Sequence, residues 1–128
     1  MTATKPSETT WHLKDELQAV LDQMARVYVA RDAAACAAIF TVDAALYSPY
    51  APPARGRTEI EALHRIWTLS ATTKRFEVFD CGANGGLAWV LARFWEGETG
   101  TGITLAVFEQ HGQAGWLIRA CSLNETKD

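Results

Sequence analysis

From residue 75 onward the chain alternates apolar runs with glycine-bearing breaks, and this half narrows the possible folds most. The runs are RFEVFD (75–80), LAWVLARFW (87–95), ITLAVFEQ (103–110) and WLIRACS (116–122), separated by ANGG, EGETGTG and HGQAG. Asn84-Gly85 suits the positive φ angles of a tight hairpin turn, so consecutive runs read as neighbouring strands of an antiparallel meander. Four such strands carry an apolar face that other elements must cover.

The first half supplies the cover. Leu13, Leu17, Val20, Leu21, Met24, Val27 and Tyr28 recur at steps of three and four, which predicts one long amphipathic helix from Thr10. Asp32 is placed to cap a short alanine-rich helix, AAACAAIF (33–40). Asp43 then begins a turn, and AALYS (44–48) reads as a short strand stopped by Pro49, which has no amide for a ladder. Thr58 and Glu61 fit a capping box for a third helix, whose buried face is Ile60, Leu63, Ile66 and Trp67, with His64 beside that stripe. The order gives an α+β class: three helices, a short strand, then an antiparallel meander of four strands. One domain is expected over residues 10–124, with a flexible lead-in at 1–9 and a tail at 125–128.

The run LAWVLARFW is apolar on both faces. Ala88, Val90, Ala92 and Phe94 point one way; Trp89, Leu91, Arg93 and Trp95 point the other. An antiparallel sheet with one wet face alternates apolar with polar residues. Either the second face meets another copy of the chain, giving a homodimer through the sheet, or the sheet curls until one chain covers both faces. Arg93 needs an anion, a carbonyl or water: Glu77 or Glu109 across the sheet, or a ligand carboxylate.

Composition removes several classes. Twelve Lys and Arg against fifteen Asp and Glu leave a formal charge of −3, and the basic residues are scattered, so no nucleic-acid partner is expected. No apolar run is long enough for a membrane span, and the polar opening MTATKPSETT lacks a secretory core, which points to a cytoplasmic protein. Cys36, Cys81 and Cys121 are widely spaced without a CxxC, and His12, His64 and His111 form no metal-binding motif, so neither a disulfide framework, a metal nor a cofactor is expected.

Several local motifs, in order, resemble the nuclear transport factor 2-like superfamily, which includes steroid delta-isomerases and SnoaL-like cyclases. They are YVARDAAACAAIFTVDAALYSP, RGRTEIEAL and GWLIRACS, and the likeness runs from about Leu13 to Leu123. The resemblance implies a cone-shaped α+β fold, three N-terminal helices packed on a curved antiparallel sheet, with a conical cavity between helices and sheet. It also implies where catalytic groups would stand, and there this chain departs. The isomerase base falls at Ser48, its first-helix tyrosine at Met24 and its late-strand protonated aspartate near Thr104. WLIRACS lacks the acid of the cyclases, and the strand carboxylates Glu77, Asp80 and Glu109 are few for an Asp-Arg-Asp epoxide hydrolase. Steroid isomerisation by the familiar mechanism is therefore not expected.

The implied pocket is lined by Met24, Tyr28, Leu46, Ser48, Leu63, Trp67, Thr104 and Phe108, with Tyr50 and His64 at its mouth and Arg93 as a possible anion contact. Such a lining suits a small apolar or aromatic ligand with one or two polar atoms; equally, the same side chains can fill a core. Tyr28, Ser48 and His64 form the candidate catalytic set, suited to proton transfer. Three functions follow: an isomerase, cyclase or dehydratase without the usual acids; a ligand-binding protein without turnover; or a homodimeric association domain.

Overall fold

A computed structural model describes residues 6–126, with side chains from His12 onward. Helix α1 spans Pro6–Val29 and buries Leu17, Leu21, Met24 and Tyr28, the stripe its spacing demands. It begins four residues before Thr10, inside the segment expected to be a flexible lead-in; residues 1–5 lie outside the described ones. At its C-terminus Arg31 takes φ 61°, while Asp32 N donates to Val27 O at 3.0 Å and Arg31 N to Tyr28 O at 3.0 Å. This reversal satisfies carbonyls the helix would leave free, with an arginine where glycine is usual. Asp32 then caps α2 (Ala33–Ala38), its Oδ1 accepting from Ala35 N at 3.0 Å.

Strand β1 runs Phe40–Tyr47, so Asp43 lies within it rather than at a turn. A two-residue strand, β2 (Ala54–Arg55), follows the proline-rich bend, and α3 spans Gly56–Trp67. The expected capping box is displaced. Glu59 Oε1, not Glu61, reaches back to accept from Arg55 N at 2.9 Å, and Glu61 pairs with Arg65 one turn on. Arg57 fastens α3 to β1 by donating from Nε to Phe40 O at 3.1 Å.

Strands β3 (Lys74–Asn84), β4 (Leu87–Glu96), β5 (Gly100–Gln110) and β6 (Trp116–Glu125) form the expected meander. The β3–β4 turn is Gly85-Gly86, one residue later than read, since Asn84 still pairs with Leu87. Gly85, at φ 64°, takes the first turn position, where a side chain would be strained. β1 joins β6 in parallel, giving the order β2-β1-β6-β5-β4-β3. Register shifts near Val78–Asp80 in β3 and where β5 meets β6 mark bulges, which bend a sheet. On β3, an edge of the sheet, Gln18 of α1 donates to Phe76 O at 2.9 Å and accepts from Val78 N at 2.8 Å.

The inner face holds Phe76, Val78, Ala88, Val90, Ala92, Phe94, Ala106, Phe108 and Ile118, all buried beneath the helices. Trp89, Leu105 and Phe79 project from the other face and are 39%, 42% and 41% exposed. The sheet therefore does not curl far enough for one chain to cover both faces. Arg93 belongs to this outer set. It lies 4.8 Å from the Phe79 ring centroid and lines no cavity, because Ala92 and Phe94 on either side of it take the inward positions. Its expected ion pairs with Glu77 or Glu109 are absent among the described residues, although Glu77 stands opposite it.

Gly102 is the tightest point of the sheet. A Cβ there would lie 2.1 Å from Asn124 O and 2.5 Å from the Phe94 ring, and the backbone oxygen cannot swing away. Gly102→Ala should cost about 3 kcal/mol, at the upper end of overpacking penalties, read as a fall in the urea midpoint.

Candidate functional site

Between the C-terminal ends of α1 and α3 and the β3–β4–β5–β6 sheet, the structure opens into a cone of two joined chambers. The outer one has a volume of about 500 Å³, with Tyr50, Trp67, Phe94, Thr99 and Glu125 in its wall. The inner one is only about 40 Å³ and is bounded by Met24, Phe40, Leu46, His64 and Thr104. Tyr28, Trp67, Lys74 and Leu123 border both and form the waist between them. The outer chamber has room for a small organic molecule; the inner one holds roughly one water-sized group.

The waist carries the polar chemistry. Tyr28 Oη donates to Glu96 Oε2 at 2.8 Å, and Lys74 Nζ donates to Glu96 Oε1 at 2.7 Å. The Lys74 ammonium also lies 4.5 Å from the Tyr28 ring centroid, 5.2 Å from Phe94 and 5.4 Å from Phe76. Its side chain is 7% exposed, so rings and carboxylate replace the water that an ammonium would otherwise hold. Burial, then the hydrogen bond to Glu96, pushes the Tyr28 phenol far above its ordinary range, so it stays protonated.

Sequence reading missed both charged members. Glu96 falls in the glycine-bearing EGETGTG break, and Lys74 stands just ahead of the RFEVFD run. Strand parity is the signal that finds them: Glu96 follows Ala92 and Phe94 at steps of two, and Lys74 precedes Phe76 and Val78 at the same step.

His64 is 4% exposed, with Nδ1 held 2.8 Å from Ile60 O one turn back. With Nδ1 donating to that carbonyl, the neutral ring leaves Nε2 as an acceptor. Its ring meets Tyr28, Phe40 and Trp67 at 6.1, 6.1 and 5.5 Å between centroids. Burial lowers its pKa from the ordinary 6.5. The folded chain thus refuses a proton that the unfolded chain accepts, so His64 favours folding above about pH 6.5 and loses that contribution as the pH falls. The urea midpoint should drop between pH 7 and pH 5, and His64→Gln should flatten the drop.

Of the other expected site residues, Met24, Tyr28, Leu46, Trp67 and Thr104 border the cone and Tyr50 stands at its mouth, where its ring meets Trp67 edge-on at 6.3 Å. Thr104 is 1% exposed, and its Oγ1 is the only fully buried side-chain polar atom without a partner among the described residues. Ser48, Leu63 and Phe108 do not line it. Ser48 lies past the end of β1 in a neighbouring groove with Tyr47 and Pro49, which shares Leu123 and Glu125 with the wall of the outer chamber, and its Oγ accepts from Tyr50 N at 3.2 Å. The strand ends at Tyr47, just before Ser48 and Pro49. Leu63 packs against the core from α3, and Phe108 is fully buried within it. Tyr28 and His64 thus meet, whereas the third member of the expected catalytic set stands apart.

Among the described residues no group of three or more His, Cys, Asp or Glu is placed to hold a metal ion, and no helix is long and apolar enough to cross a membrane. Cys36, Cys81 and Cys121 are unpaired.

Residues 20–115 match the family model of the SnoaL-like domain. Among solved structures, the chain is similar to a Mycobacterium tuberculosis protein of unknown function, at 17% identity and TM-score 0.81 over 99% of this chain and 79% of that one. A ketosteroid isomerase-like protein from Erwinia carotovora atroseptica matches at 13% identity and TM-score 0.75, covering 90% of this chain and 97% of the other. A nuclear transport factor 2-like superfamily protein from Salmonella enterica matches at 15% identity and TM-score 0.73, over 93% and 94%. No curated protein sequence matches the chain.

Proposed function

The chain belongs to the SnoaL-like domain family, within the nuclear transport factor 2-like superfamily, and on that premise we propose that it binds a small, mostly apolar molecule carrying one or two polar atoms in its cone. One observation carries this reading: Thr104 Oγ1, buried and unpartnered, belongs to the wall of the inner chamber. A buried hydroxyl without a partner costs about 1–3 kcal/mol, and the cost is relieved when a ligand atom or water bonds to it. Thr104→Val keeps the shape and removes the cost. It should raise stability by about 1 kcal/mol in the free protein and weaken retention of a polar-tipped ligand.

Native mass spectrometry of the protein as purified tests the reading. A small retained mass, reduced in Thr104→Val, is expected; a bare chain in both, with added apolar compounds also failing to bind, would reverse it. The same spectrum reports subunit count. The exposed row of Phe79, Trp89 and Leu105 on the outer sheet face supports a homodimer built through that face. The three unpaired cysteines suit a reducing compartment such as the cytoplasm.

A second reading, turnover of the isomerase, cyclase or dehydratase type, is favoured by the cluster at the waist. Glu96 is placed to take a proton from a bound carbon acid, and Tyr28, bonded to it at 2.8 Å, is placed to return one. In this reading Glu96 joins Tyr28 and His64 of the expected set, while Ser48 lies outside the lining of the cone.

A further inference from the structure

The charged groups in the wall of the outer chamber do not balance. Its wall carries one ammonium, Lys74, and two carboxylates, Glu96 and Glu125. Lys74 is already bonded to Glu96 at 2.7 Å and hidden among three rings, whereas Glu125 is exposed at the rim with no ion pair among the described residues. One negative charge is left over, in a protein whose formal charge is already −3. The Tyr50 phenol registers the same sign: burial, then the fields of Glu125 and Glu96, raise its pKa.

The remaining wall is aromatic. Tyr50 and Trp67 stand perpendicular, at 89° and 6.3 Å between centroids, making a corner that opens onto the chamber. Ring faces attract cations, most strongly where water is partly excluded. The waist already illustrates this chemistry, since the Lys74 ammonium rests over Tyr28 and Phe94 with a carboxylate at its side. An anion would find Lys74 occupied and two carboxylates opposing it.

From this geometry we propose that the outer chamber takes an organic ammonium ion, an alkylated nitrogen cation on a compact apolar body, held between the Tyr50–Trp67 corner and Glu125. This rests on the small-molecule reading above and adds the charge of the ligand to it.

Three probes of one shape test it: choline, its uncharged carbon analogue neohexyl alcohol, and the anion tert-butylacetate. Each is titrated into the intact protein at low ionic strength while the Trp67 indole N–H resonance is followed. Choline should bind at least about tenfold more tightly than the alcohol, with the anion weakest. Glu125→Gln should weaken choline by about three- to fivefold, a typical effect for an exposed charge. Lys74→Met, which leaves Glu96 unneutralised, should tighten choline, a change of sign that mere damage to the fold does not produce. Equal affinity for choline and the alcohol, or preference for the anion, would overturn the ammonium inference and leave the small-molecule reading standing. Silence from all three would overturn it together with the small-molecule reading, whereas equal binding of choline and the alcohol removes the ammonium inference alone.

Discussion

Glu96→Gln is expected to destabilise the protein by about 2–3 kcal/mol, whereas Lys74→Met, removing the other end of the same ion pair, should cost less than about 1 kcal/mol. The asymmetry follows from where the two charges stand. Lys74 is 7% exposed, and with Glu96 neutralised its ammonium keeps only ring faces and a neutral amide. Glu96 is 36% exposed, so without Lys74 its carboxylate still has water and the Tyr28 hydroxyl. The double variant should lie close to Lys74→Met alone, since the isolated ammonium is then gone. A urea-unfolding cycle over the four proteins checks this. Equal costs for the two single changes would mean that the waist is wetter than the packing implies.

The second large effect concerns the outer sheet face. Leu105 stands between Leu91 of β4 and Ser122 of β6, next to the row of Trp89, Val107 and Ala120. In the homodimer proposed above this is the middle of the interface. Leu105→Glu would place an unpaired carboxylate there, at a cost of about 3 kcal/mol or more, so the dissociation constant should rise at least about a hundredfold. In the monomer Leu105 is already 42% exposed, and the change should leave its fold intact. Sedimentation at micromolar concentration distinguishes the outcomes. The native chain should run as a dimer and Leu105→Glu as a monomer; a native monomer would remove the sheet face from the assembly.

Strands and helices were legible in the sequence because they rest on local patterns. The steps from Leu17 to Tyr28 put four side chains on one stripe, and Asp32 caps its helix as a free carboxylate before an alanine run should. Boundaries shifted where chemistry was shared among neighbours. Glu59 outcompeted Glu61 for the start of α3 because α3 begins at Gly56, three residues earlier than a cap at Thr58 requires. The parallel pairing of β1 with β6 had no local signal, since it joins residues more than seventy positions apart.

The site was half legible. Tyr28, Trp67 and Thr104, which the resemblance implied for the pocket, border the cone. Arg93 was read for its chemistry; its parity groups it with Trp89, and only the packed structure shows that this set faces outward. Lys74 and Glu96 were overlooked for the opposite reason. They terminate strands, where composition resembles a loop, yet their parity points them inward, and their partner Tyr28 comes from another segment. A polar cluster assembled from three elements leaves no spacing in the sequence. Only the pairing of β3 with β4, which sets Lys74 opposite Glu96, brings it together.

The central claim is that the cone is a place for a small molecule, and the indole N–H resonances test it most directly. Trp67 borders the cone, Trp89 and Trp95 belong to the outer sheet face, and Trp116 donates its N–H to Glu16 at 2.9 Å, away from both chambers. With a small apolar alcohol such as neohexyl alcohol, the account predicts a saturable shift of the Trp67 resonance while Trp89, Trp95 and Trp116 stay in place. A Trp67 resonance unmoved at saturating probe, or shifts confined to Trp89 and Trp95, would contradict it.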